Sequence, residues 1–185
     1  MAGDPLSGRS VCVYCASSND VAEHYLQLAA DVGAGIAQRG WQLISGGGCV
    51  SMMGALADGA RQAGGRTVGV IPRALLDREV ADTAADELLV TDTMRERKAL
   101  MDAHAGAFLA LPGGLGTCEE LFEAWTSRVL GMHAKPVVLL DPDGHYAGLL
   151  DWLDGLRERG FLSASGLSCL VVTSEVDAAL DACAH

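Results

Sequence analysis

At 185 residues, half of them apolar, the chain is long and apolar enough to bury one substantial core, and its composition is not that of a disordered segment. Its 24 acidic side chains outnumber 13 basic ones, and the net charge of −11 argues against a general nucleic-acid binder, which needs a basic face. No apolar run approaches the roughly 18 residues of a membrane span.

Residues 1–9 are small and polar with a Gly and a Pro; they read as a loose tail and carry no signal-peptide pattern. Residues 11–16 form a first strand, and Ser17, Ser18, Asn19 and Asp20 offer N-caps for a helix over 21–38, which Gly40 ends. A strand over 41–44 runs into Gly46, Gly47 and Gly48. A helix over 51–63 follows, then a strand over 66–71, an irregular loop over 77–86 and a brief strand over 87–91. Thr93 and Glu96 fit a capping box that opens a helix through His104. The apolar run 105–111 leads into a second glycine loop, Gly113 to Gly116, with helical spacing over 121–130. Strands over 137–140 and 170–172 alternate with helices over 146–159 and 176–183.

This alternation, without hairpin signals, predicts a single α/β domain over 10–185: a Rossmann-like, doubly wound parallel sheet with helices on both faces. Such sheets bind ligands at the carboxyl ends of their strands, where both glycine loops fall. Neither loop matches GxGxxG with a ribose-binding acid or the GxxxxGK[ST] phosphate loop. Glycines make tight turns anywhere, but two glycine loops at one sheet edge favour phosphate or sugar binding.

Cys12 and Cys15 form the one close cysteine pair, on opposite faces of a strand, and no second pair completes a zinc site. The six cysteines read as reduced thiols of a cytoplasmic protein. Glu120 has two readings. With Thr117 it fits a capping box; facing a ligand, it suits an oxocarbenium-like centre. Arg97 stands on an apolar stripe with Leu100, Met101 and His104, either snorkelling or aimed into a site. His24, His133 and His145 read as caps or surface residues, and Met52 and Met53 as sheet packing, with a base contact the alternative.

Residues 112–120, Pro-Gly-Gly-Leu-Gly-Thr-Cys-Glu-Glu, match the PGGxGTxxE signature of the Lonely Guy (LOG) family, and Met94-Arg95-Glu96-Arg97-Lys98 resembles its second motif. The likeness extends from residues 11–18 through the first glycine loop to Lys135 and Pro136. It implies a cytokinin riboside 5′-monophosphate phosphoribohydrolase, which splits the N-glycosidic bond of an N6-modified adenosine monophosphate into free base and ribose 5-phosphate. By resemblance, Arg97 and Glu120 form the catalytic pair. Lys98, Gly113, Gly114, Leu115, Gly116, Thr117, Cys118, Glu119 and Thr126 line the nucleotide site with Gly47 and Gly48, and Glu79 is a substrate-contacting acid.

The resemblance also implies a homodimer, for which the apolar face around Leu121, Trp125 and Leu130 is a candidate, and it calls for no cofactor or metal. An older label of the family, lysine decarboxylase, finds little here: Lys98 and Lys135 are the only lysines. Ser51 departs from the family pattern, standing where the first loop has a fourth glycine; Leu115 and Cys118 occupy variable positions. The alternatives are a nucleosidase acting on AMP or another nucleotide, and a nucleotide-binding module without catalysis.

Overall fold

The computed structural model describes residues 9–76 and 80–185. Glu79 and most of the 1–9 segment therefore lie outside the described residues. Seven parallel strands form one sheet: β1 (Ser10–Tyr14), β2 (Gln42–Ser45), β3 (Thr67–Pro72), β4 (Glu87–Thr91), β5 (Ala107–Ala110), β6 (Val137–Leu140) and β7 (Leu170–Thr173). Their order is β4-β3-β2-β1-β5-β6-β7, so the winding reverses between β1 and β5. These two strands run in register, with Tyr14 opposite Ala110. The segments that leave them, starting at Cys15 and Leu111, therefore emerge side by side at the reversal point, where such sheets bind ligands.

The helices are α1 (Glu23–Gln38), α2 (Ser51–Gln62), α3 (Met94–His104), α4 (Leu115–Val129), α5 (Ala147–Glu158), the short α6 (Ala164–Leu167) and α7 (Val176–Ala182). Strand alternation sorts the core into two layers. Val11 and Val13 of β1 face Val32, Ile36, Leu56 and Leu180 of α1, α2 and α7. Cys12 and Tyr14 point the other way, toward Met101, Leu121, Trp125 and Leu153 of α3, α4 and α5. Cys15 packs with the first layer, so the cysteine pair does straddle the sheet, and all six cysteines are free thiols. No helix among the described residues is long and apolar enough to cross a membrane.

The expected capping box of α3 forms: Glu96 N–H donates to Thr93 Oγ1 at 3.1 Å, and Thr93 N–H donates back to Glu96 Oε2 at 3.3 Å. Three local expectations fail. Ala22 occupies the N-cap of α1 without a side-chain bond, leaving the serines at 17 and 18 for other use. Helix α6 was not expected; Ser163 caps it through the Gly166 N–H, and four residues are too few to show a period. Helix α4 opens at Leu115, six residues before position 121, with Gly114 as N-cap and no side-chain cap bond. Thr117 and Glu120 thus sit inside the helix and form no capping box. Glycine-rich first turns hide a helix from periodicity because glycine carries no side chain to repeat.

Candidate active site

A cleft of about 290 Å³ opens at the reversal point. The exit of β1 supplies Tyr14, Cys15, Ser17 and Ser18; the end of β2 supplies Gly46; α3 supplies Met94, Arg97 and Met101; and α4 supplies Gly114, Leu115, Gly116, Thr117, Glu119 and Glu120. The two motifs that sequence reading singled out therefore meet at one place.

Arg97 is only 6% exposed although it is charged. Its position on the apolar stripe of α3 carries it under the sheet edge, where Nε donates to the Val70 carbonyl at 3.1 Å and Nη2 to the Gly46 carbonyl at 3.0 Å. Hydrogen bonds to a charged group contribute about 1.5–3 kcal/mol each, enough to hold the guanidinium in one orientation. Gly46 makes this possible: a Cβ there would stand 2.0 Å from Nη2. Arg97 is thus neither snorkelling nor surface-bound; it is clamped beside the cleft by the carbonyls of Gly46, just past β2, and of Val70 within β3.

The amino end of α4 forms the opposite wall. The first helical bond runs from Cys118 N–H to the Gly114 carbonyl at 3.0 Å, so the N–H groups of Leu115, Gly116 and Thr117 have no acceptor inside the helix. Together with the helix dipole they favour an anion. Gly114 and Gly116 sharpen this point. A Cβ at either would meet nothing within 4 Å, and neither has a positive φ, so internal packing does not demand glycine at those positions. Both glycines line the cleft. Thr117, 4% exposed, packs under Gly113.

Glu120 is half-buried and lies between two cavities. It lines the cleft and also a second hollow of about 430 Å³ bounded by Tyr14, Arg95, Lys98, Asp102, Glu123 and His133. Its charge reaches the strand beneath: burial first, and the Glu120 carboxylate second, push the Cys12 and Cys15 thiols well above their ordinary range. That disfavours the thiolate form which a cysteine nucleophile needs.

Other expected residues are dispersed. Lys98 lines the second hollow rather than the cleft, and its ammonium bridges Glu119 and Glu123 at 2.5 Å each, which raises its pKa. Gly47 and Gly48 do not line the cleft. The Gly47 carbonyl accepts Asp82 N–H at 2.8 Å and Gly48 pairs with Ala81, so this part of the loop tethers the 80–82 segment. Cys118 is half-buried and also absent from the cleft lining. Thr126 is exposed on another side of α4, in an apolar groove with Phe122, Trp125, Leu130, Trp152 and Phe161. Leu121 and Trp125 are themselves core, 1% and 4% exposed.

Around the cleft, several residues take roles that the sequence does not reveal. Ser17 and Ser18 were read as caps. Met53 lines the cleft while Met52 is core, a split that one helical step imposes. His145, read as isolated, donates through Nε2 to the Gly113 carbonyl at 2.9 Å, a long-range contact with no local signal. Ser51 has φ +52°, the left-handed conformation that the glycine pattern requires, and its hydroxyl donates to the Ser18 carbonyl at 2.5 Å.

Comparison with known proteins places these features in context. A family model described as "possible lysine decarboxylase" matches residues 53–183. A Mycobacterium tuberculosis protein named cytokinin riboside 5′-monophosphate phosphoribohydrolase is 57% identical over 175 residues, which cover 95% of this chain and 93% of that protein. An Arabidopsis thaliana protein of the same name, LOG3, is 39% identical over 88% of this chain and 76% of its own. Among solved structures, the molybdenum cofactor carrier protein of Chlamydomonas reinhardtii superposes with a TM-score of 0.71 at 27% identity, covering 95% of both chains.

Proposed function

The chain belongs to the Lonely Guy family, and from that premise we propose that it hydrolyses the N-glycosidic bond of cytokinin riboside 5′-monophosphates, releasing the free base and ribose 5-phosphate. It is a hydrolase of N-glycosyl bonds, as its relatives are named. What carries the reading is the meeting of Arg97, Glu120 and the bare amino end of α4 in one cleft.

In this reading the N–H groups of 115–117 hold the 5′-phosphate. Anchoring that remote group orients the ribose so that C1′ comes to Glu120. As the bond from C1′ to the purine nitrogen lengthens, positive charge grows on the sugar, and the Glu120 carboxylate stabilises it and orients the attacking water. The water oxygen bonds to C1′ and gives up a proton, and the departing purine nitrogen gains one. Arg97, already fixed by Gly46 and Val70, holds the phosphate and Glu120 in register while the base leaves.

Neither lysine suits the chemistry of the family model's description. Lys98 is held by two carboxylates and Lys135 by Asp102 at 2.9 Å, so each amine is a charged ion-pair partner and not a free nucleophile. We further propose a homodimer that covers the groove between α4 and α5, where Leu130, Trp152 and Phe161 are 70%, 53% and 78% exposed. The unpaired cysteines fit a reducing, cytoplasmic setting.

Product analysis tests the activity. Purified protein given isopentenyladenosine monophosphate is expected to release base and ribose 5-phosphate. Glu120→Ala is expected to lower the rate about 10²- to 10³-fold. Base that stays attached with the wild-type protein, or release that survives Glu120→Ala undiminished, overturns the reading. A monomer mass by light scattering overturns the dimer.

A further inference from the structure

The turn that follows β6 has no part in the chemistry above, yet it grips the glycine loop from behind. His145 donates through Nε2 to the Gly113 carbonyl at 2.9 Å, and the buried Tyr146 hydroxyl donates to the Leu111 carbonyl at 2.8 Å. The two bonds bracket Pro112. The rings of His145 and Tyr146 meet edge to face at 4.6 Å. The turn is in turn pinned: Tyr146 N–H donates to Asp141 Oδ2 at 3.1 Å, and Asp143 Oδ2 accepts the Tyr25 hydroxyl of α1 at 2.6 Å. Neither His145 nor Tyr146 lines the cleft.

A planar trans peptide couples this grip to the site. The Gly113 carbonyl and the Gly114 N–H belong to one peptide unit and point in opposite directions. A donor that holds the carbonyl outward therefore turns the N–H toward the side on which Gly114 lines the cleft. Glycines at 113 and 114 leave this peptide free to rotate otherwise, because no side chain restricts either end. Since a carbonyl oxygen only accepts, Nε2 must carry the proton.

We propose that His145 and Tyr146 are positioning residues that preset the Gly113–Gly114 peptide for a ligand phosphate. The inference rests on the reading of the α4 amino end as the phosphate site. Calorimetric titrations of AMP and of adenosine, in a Glu120→Gln background so that the ligand survives, separate it from a general structural role. His145→Ala is expected to weaken AMP about three- to tenfold and leave adenosine unchanged. His145→Gln, whose amide also offers an N–H donor, is expected to stay within about twofold of the parent. Tyr146→Phe is expected to weaken AMP in the same direction.

Unchanged AMP affinity in His145→Ala, equal losses for AMP and adenosine, or failure of the glutamine to rescue overturns the inference and leaves the phosphate site standing. A parent protein that does not prefer AMP to adenosine overturns both.

Discussion

The two glycine loops at the carboxyl edge of the sheet have similar sequences and opposite uses. Gly46 is needed for what packs on it: a Cβ would collide with the Arg97 guanidinium. At Gly114 and Gly116 a Cβ meets nothing within 4 Å, so packing inside the protein does not call for glycine there. The first loop builds the protein, positioning an arginine and tethering 80–82. The second leaves the N–H groups of 115–117 without an acceptor inside the helix, which is what the proposed phosphate site draws on. Glycine in a sequence marks both situations alike, and only the surrounding atoms separate them.

Substitutions at the two loops should therefore diverge. Gly46→Ala is expected to cost the most, because Arg97 must move or the strand end must shift. Base release should fall about 10²-fold or more, and denaturant unfolding should show a loss of about 1–3 kcal/mol. An alanine there that leaves both untouched would break the contrast. Gly116→Ala should weaken AMP about tenfold in a binding titration while stability holds or rises by up to about 1 kcal/mol, since alanine is the better helix residue. A stability loss at 116 would mean that packing, not a ligand, requires that glycine.

Ser51 tests the first loop from its far end. Ser51→Gly relieves a left-handed serine, worth on the order of 1–2 kcal/mol, but removes the hydroxyl bond to Ser18, worth about 1 kcal/mol. The two nearly cancel, and the net change in unfolding free energy should stay within about 1 kcal/mol. The smallest effect concerns Lys98. Its pKa is raised by its hydrogen bonds to Glu119 and Glu123, so the stability it contributes is fully present below its ordinary 10.5 and is lost only as pH rises through the elevated value. Melting temperature followed between pH 6 and 9 should show no fall assignable to this lysine, and Lys98→Met should not change the slope there.

Much of the candidate site is legible in the sequence. Arg97 announced itself as a cation on an apolar stripe, and the second glycine loop as a strand-to-helix junction. The motif resemblance joined them. What could not be read was the company each keeps. Lys98 follows Arg97 directly, yet one helical step turns it toward Glu119 and Glu123 and away from the cleft. Thr126 lies about one and two-thirds turns beyond Glu120 on α4 and faces another groove. His145 is 32 positions from the carbonyl it holds, a distance at which no local pattern operates.

The sequence by itself determined the layering: alternating apolar runs and helical periods fix which faces are buried, and burial makes parallel α/β architecture the consistent solution. It also set the α3 capping box, a local pair of bonds. The tertiary structure alone decided that α4 begins at Leu115, that Glu120 is no cap, and that Arg97 reaches across from α3 to carbonyls of Gly46, just past β2, and Val70 of β3. Those outcomes depend on atoms brought together by the reversal of strand order between β1 and β5, a relation between segments far apart in the chain.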